Sequence, residues 1–367
     1  MGSLIYASEI SRATLNSDET LYDKVATKIL TETLRMKKGE TLTVETWNNG
    51  LPFAKRLTLE AKRLGVLPLV VFEDEQGYID GVRVTPKDVL GAMGKQEYGL
   101  LSGSDGYVFI PGPPIGAYSP RLTQHEHDDS TKYNTSWYEA AEKAKLRGAR
   151  LPYGYVGKDY ARVYKKRPEE FARAQLKAAL ADYGQISATG KAIGRVLQDG
   201  ARAVLGFPGS RLEFTLQGDM ELEDGIVDEN DVAGGYNMTY VPPGYVMKQV
   251  DTTTVKGQVT LAPSMTRLGL ISDAVLEFDG GRLVKWRSRR SPGSLTQLVE
   301  GVPFEKRSIA SIMVGLNPLM KYEQGQDRVV SGSISLAGFG FSGVVRKGTL
   351  RVGDRLVVQS GKLAISA

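Results

Sequence analysis

The chain contains no cysteine among its 367 residues, which excludes disulfides, thiolate metal sites and cysteine nucleophiles. Histidine is nearly absent. His125 and His127 are the only two, and both fall in TQHEHDDST at 123–131. A serine–histidine pair would have to use one of them, and no G-x-S-x-G nucleophile elbow is present. There is no P-loop. PGPPIG at 111–116 follows a strand-like run but opens no helix, so it is not a dinucleotide fingerprint. No apolar run approaches the roughly 20 residues of a membrane-spanning helix. The opening MGSLIYASEISRATLNSDE lacks the basic region and apolar core of a signal peptide. A cytoplasmic location and no membrane span are the expectations. The formal charge of +5 allows weak contact with anionic partners without requiring it.

The length fits two domains. In the first, helix and strand alternate. Ser17-Asp18-Glu19 can start a helix carrying Leu21, Val25, Ile29 and Leu34, which Lys37-Lys38-Gly39 would close. LTVET (42–46) reads as a strand. A helix over 52–64 follows, and LPLVVFE (67–73) reads as a strand buried on both faces. YVFIPG (107–112) is a further strand, with helices predicted over 136–146 and 168–180. This order predicts a parallel sheet flanked by helices. Near Gly200 the pattern changes to short alternating runs with hairpin signals at Asp279-Gly280-Gly281 and Gly353-Asp354. A helix is predicted around 304–313. The fold class is therefore α/β: an N-terminal parallel-sheet domain over 1–200, then a mostly antiparallel α+β domain over 201–367.

Three clusters carry candidate chemistry. His125 and His127 at i, i+2 would point the same way on a strand and could share a metal ion, although a polar loop before the helix at Ser136 explains them as well. Lys158, Tyr160, Arg162, Tyr164, Lys165, Lys166 and Arg167, and separately Lys285, Trp286, Arg287, Arg289 and Arg290, mix cations with rings. That mixture suits an anionic ligand or nucleic acid, but also a solvated face or a guarded strand edge. The modest net charge disfavours nucleic acid as a partner. Asp219, Glu221, Glu223, Asp224, Asp228, Glu229 and Asp231 crowd GDMELEDGIVDENDV (218–232), without the spacing of a calcium loop, and read as a solvated loop.

Several longer segments, in order, are similar to one family. They are LRMKKGETLTVET and AKRLGVLPLVVFED in the first half, LGFPGSRLEFTLQGDMELEDG (205–225), YNMTYVPPGYVMKQVDTTTVKGQV (236–259), IASIMVGLNPLMKY (309–322) and SGSISLAGFGF (331–341). The chain resembles the metallo-aminopeptidases of the M29 peptidase family, the aminopeptidase T and aminopeptidase S type. That resemblance implies their fold, a homodimer, and a two-metal site of carboxylates and histidines in the second domain.

The departures from the family concern that site. Tyr245 and Ser311 stand where the resemblance places glutamate ligands, Ser335 where it places a histidine, and Phe341 about where it places a catalytic tyrosine. The final His-x-Asp segment has no counterpart; FSGVVRKGTL (341–350) occupies that region. A related branch of the fold, an iron ring-cleaving dioxygenase, needs histidines that are missing too. Hydroxyls are poor substitutes for carboxylate and imidazole ligands. The expectation is a family member without the metal centre and without a cofactor. Tyr245, Ser311, Asn317, Ser335 and Phe341 would line an inherited cavity open to a peptide or small molecule. The alternatives are an active aminopeptidase or other hydrolase with relocated ligands or metal-free chemistry, and a nucleic-acid-associated protein.

Overall fold

Leu21, Val25 and Ile29 place a buried stripe on helix α1, which covers 19–28 and continues as a wider π-helical turn over Ile29–Thr33. The computed structural model describes residues 19–111, 124–152, 166–266 and 268–365; Ser17 and Asp18 lie outside them. The helix closes at Arg35, which takes the left-handed conformation (φ 48°), and not at Gly39, whose positive φ serves the turn into the next strand. That strand is β1 (Thr41–Trp47), followed by α2 (Leu51–Arg63), β2 (Leu67–Glu73), α3 (Glu75–Val84), α4 (Lys95–Ser102) and β3 (Gly106–Ile110). After β3 come α5 (Gln124–Lys143) and β4 (Arg147–Arg150).

The helix predicted from Ser136 thus begins at Gln124. Residues 124–131 are its first turns and not a loop. The i, i+2 convergence argued for a strand does not apply there, because successive helical positions turn by about 100°. The side chains of His125 and His127 lie outside the described residues.

The chain continues through α6 (Pro168–Ala178) and α7 (Tyr183–Gly194) into the second sheet, β5 (Arg202–Phe207) and β6 (Ser210–Glu223). A short helix, α8 (Glu229–Ala233), leads to β7 (Met238–Tyr240), which returns to the first sheet. The first sheet is wholly parallel, in the order β2-β1-β3-β4-β7. Val25, Ile29 and Leu30 pack with Leu42, Val44, Phe53, Leu57, Val108 and Ile110 to form the core on one of its faces. Burying each of these large apolar side chains stabilises the fold by about 1.5–3 kcal/mol before entropy is counted.

β2 corrects the sequence reading. It is parallel, but it is the edge strand, and its apolar run is exposed: Leu67 is 60 % and Phe72 49 % accessible, with Leu69 and Val70 also exposed. A local apolar run reports burial only when both neighbouring positions in the sheet are filled.

The rest of the second sheet follows: β8 (Tyr245–Val250), β9 (Lys256–Leu261), a small hairpin of β10 (Ser264–Thr266) and β11 (Gly269–Ile271), the hairpin β12 (Ala274–Asp279) and β13 (Arg282–Arg287), then α9 (Pro292–Glu300). β14 (Ser311–Gly315), β15 (Ile334–Gly338), β16 (Phe341–Val345), β17 (Thr349–Val352), β18 (Arg355–Gln359) and β19 (Lys362–Leu363) complete it. The main path runs β16-β15-β14-β8-β6-β5-β17-β18-β19 in antiparallel pairs, with β9, β12 and β13 branching from β6. The helix predicted over 304–313 is a single 3-10 turn at Phe304–Lys306 followed by β14. Short buried apolar runs do not reveal their period, which explains the misreading. The acidic run after Gly218 also differs from a solvated loop. It extends β6 to Glu223, and Asp228 then caps α8 through the backbone N–H groups of Asn230 and Asp231. Among the described residues no helix is long and apolar enough to cross a membrane.

Candidate functional site at the junction of the two sheets

Strand ends from both sheets meet at one place. β4 ends at Arg150 and β7 at Tyr240, and the two residues are register partners. Open α/β sheets present ligand-contacting groups at such carboxyl ends. From Tyr240 the turn Val241-Pro242-Pro243-Gly244 leads directly into β8. Tyr245, the first residue of β8, pairs with Glu223 at the end of β6 and with Gly315 at the end of β14. Gly244 has φ 126°, and a Cβ there would lie 2.9 Å from the Asn317 backbone nitrogen, so the tight crossing between the sheets requires glycine.

Asn317, fully buried, holds this crossing. Its Nδ2 donates to the carbonyls of Ala178 (3.0 Å) and Pro243 (2.8 Å), and its Oδ1 accepts from the N–H groups of Leu319 (3.0 Å) and Met320 (3.2 Å). One side chain thus joins the end of α6, the β7–β8 turn and the loop after β14. That loop is clamped further along by Arg346, the residue after β16, which donates to Glu323 (2.8 Å) and Asp327 (3.1 Å).

The clamped loop presents Arg328. Its guanidinium carbon lies 5.3 Å from the ring centroid of Tyr240 and 5.5 Å from that of Tyr245. Arg150 approaches the same Tyr240 ring at 5.9 Å and Phe109 at 5.2 Å. Glu223 accepts from the Thr239 hydroxyl. Burial pushes the Glu223 carboxyl up to about 7; the Thr239 hydroxyl, the Tyr240 backbone N–H and the Arg328 charge only partly oppose this. Burial also raises the Tyr245 phenol above its usual range.

The register sorts the residues singled out from the sequence. Tyr245, Ser311 and Ser335 share one face of the sheet: Tyr245 and Met247 alternate onto it, Met247 pairs with Met313, Met313 pairs with Ser335, and Ser311 is two residues from Met313. Ser311 and Ser335 are diagonal neighbours there. Ser335 is 2 % exposed, and its hydroxyl has no hydrogen-bond partner. Phe341, 5 % exposed, pairs with Gly338 and packs into the core on the opposite face, against Phe339. Asn317 serves the backbone as described.

The remaining candidates do not join this site. Lys285 pairs with Glu277 (3.1 Å) and Arg289 with Asp273 (2.9 Å). The Trp286 ring packs against the core of the second sheet while its N–H donates to Thr296 (3.1 Å), and Arg287 and Arg290 are exposed. This patch is therefore partly self-neutralised, and its ring is turned to the protein. Lys158, Tyr160, Arg162, Tyr164 and Lys165 lie outside the described residues; Lys166 donates to the Glu323 carbonyl (3.1 Å), and Arg167 pairs with Glu170 (3.3 Å).

Sequence reasoning missed Arg150, Tyr240 and Arg328. The available signal was YVPPGY at 240–245, a rigid turn flanked by two tyrosines. It also missed a carboxylate group on the first sheet, where Tyr107 donates to Glu45 and Tyr133 to Glu97 (2.7 Å). Burial, with the charges of Glu45 and Glu97, pushes Glu73 up to about 7.

The donor chemistry tests the metal centre implied by the family resemblance. Tyr245, Ser311 and Ser335 offer neutral hydroxyls, and Arg328 brings a positive charge against the same ring. Among the described residues no group of three or more acidic or histidine side chains could hold a metal ion. These residues do not fit a divalent pair.

No protein-family model matches the chain, and no curated protein does. Among solved structures it is similar to wild-type AmpT from Thermus thermophilus, with a TM-score of 0.67 and 14 % identity, over 94 % of this chain and 99 % of that one. The two share a fold: a parallel sheet with helices joined to a large antiparallel sheet.

Proposed function

We propose that this chain is a catalytically degenerate member of the aminopeptidase fold. It acts as a binding or structural scaffold without the two-metal centre of the family it resembles. The observation that carries this reading is the sheet face of Tyr245, Ser311 and Ser335. Hydrolysis by paired metals needs anionic and imidazole ligands to hold two dications and to lower the pKa of a bridging water. At the three matched positions the donors are neutral hydroxyls, and Arg328 lies against the Tyr245 ring; Glu221 and Glu223 share the face through their partners Met247 and Tyr245, but among the described residues no third acidic or histidine side chain joins them. The crossing held by Asn317 supports retention of the family's backbone frame after loss of its chemistry.

Chain purified without chelators is expected to contain no stoichiometric zinc, cobalt or manganese, and to release no fluorophore from aminoacyl-fluorophore substrates with those ions added. Stoichiometric metal together with turnover would overturn the scaffold reading in favour of an active hydrolase with relocated ligands.

The same reading includes a homodimer, supported by β2. An edge strand with a free ladder of backbone groups and exposed Leu67, Leu69, Val70 and Phe72 is a surface that a second copy would cover. Light scattering of the chain is expected to give the mass of a dimer, and Leu69→Lys with Phe72→Lys the mass of a monomer. An unchanged mass in the double variant would remove β2 from the interface.

A further inference from the structure

We infer that the junction between the two sheets is a binding site for a small organic anion, held by Arg328 and Arg150 across the face of Tyr240. The inference rests on the preceding reading, because a metal pair at the same face would itself attract the anion.

Arg150 ends β4 of the first sheet and Arg328 sits in the loop between β14 and β15, yet both guanidiniums bracket one ring, at 5.9 and 5.3 Å. Among the described residues, neither side chain forms an ion pair or a hydrogen bond. The Arg328 Nε is buried and has no acceptor. Two half-buried cations facing one ring repel each other, and water screens them poorly. Cation–π attraction offsets some of that, about 0.5–2 kcal/mol per contact. Two carboxyls act on these cations, Glu223 on Arg328 and Glu45 on Arg150; burial raises both, and each already accepts from a hydroxyl, of Thr239 and of Tyr107. Neither carboxyl hydrogen-bonds either guanidinium, so the donor forks stay without an acceptor among the described residues. Guanidinium forks match the two oxygens of a carboxylate or phosphate.

Buried polar groups without partners occur on elements next to Tyr245 and Ala178. The Ser335 hydroxyl lies on the sheet face that carries Tyr245. The Tyr322 hydroxyl belongs to a side chain that packs, with Tyr245, on Ala178, Met320, Val329 and Val330. Gln175, fully buried one helical turn before Ala178, has neither amide atom bonded. Such groups are normally paired in native proteins. A ligand that carries oxygen acceptors, with the water it orders, would satisfy them. The guanidiniums, like the rings of Tyr240 and Tyr245 beside them, are half-buried, which favours a small molecule over a macromolecule.

The test is calorimetric titration of the full chain, before and after chelator treatment, at low ionic strength. Succinate and inorganic phosphate are the probes and chloride is the control. Saturable binding of succinate is expected for a carboxylate ligand, of phosphate for a phosphorylated one, and either supports the site. Arg328→Gln and Arg150→Gln are each expected to weaken that binding at least tenfold; Arg328→Lys, which keeps the charge and loses the fork, should weaken it less. If Arg328→Gln does not fold, Arg150→Gln decides. No saturable binding of either anion beyond chloride, or unchanged affinity in the glutamine variants, overturns the inference. Binding that vanishes on chelation also overturns it, since a metal would then hold the anion. Metal in the untreated sample, with chelator-insensitive and arginine-dependent binding, leaves this inference standing while the metal-free reading falls.

Discussion

Asn317→Ala is expected to destabilise the chain by about 4 kcal/mol, because a buried polar group left without its partner costs about 1–3 kcal/mol. The substitution frees four at once: the carbonyls of Ala178 and Pro243 and the N–H groups of Leu319 and Met320. Water entering the space would recover part of the cost. Asn317→Asp separates hydrogen bonding from shape. It keeps both acceptor bonds but turns a carboxylate toward two carbonyl oxygens, so it should also be strongly destabilised at neutral pH. Chemical denaturation of the three proteins gives the comparison. A loss below about 1 kcal/mol in the alanine variant would mean that the crossing between the sheets is held by packing alone.

A second large effect is expected from Glu223. Its carboxyl is raised from 4.5 to about 7 in the folded chain, so the folded state holds a proton that the unfolded state has released. The favourable contribution is complete below about pH 4.5 and is lost as pH rises toward 7, with a total of about 3 kcal/mol. Groups around it set this value: Asp224 raises it, while Arg328, the Thr239 hydroxyl and the Tyr240 N–H lower it. Glu223→Gln removes the titration and keeps an oxygen that can accept from Thr239. The difference in stability between variant and parent is therefore expected to shift by about 3 kcal/mol in favour of glutamine between pH 4.5 and 8. Other carboxyls titrate in both proteins and cancel in that difference. A flat difference across the window would show that Glu223 ionises as freely as it does in water.

Parts of the second sheet were legible because period-two alternation and glycine turns are local. RLEFTLQG, KGQVTLAP and the hairpin across Gly280-Gly281 all became strands near the predicted positions. The misread segments share a physical cause. IASIMVG is a short buried run compatible with either period, and the start of α5 carries few apolar residues to mark its face. β2 has the composition of an interior strand, but sheet order, which its seven residues do not encode, puts it at the edge.

The sequence by itself determined the alternation of elements and the change from a parallel to an antiparallel sheet. Each of these follows from residue type and spacing along the chain. The tertiary structure alone decided which face each residue occupies and which cations meet. Ser311 and Ser335 share a face with Tyr245 while Phe341 takes the other, through strand register. Arg150 at the end of β4 and Arg328 in the loop between β14 and β15 converge on Tyr240 because the two sheets meet at one four-residue turn. Local propensity carries no information about such encounters, since they depend on the order in which strands join their sheets.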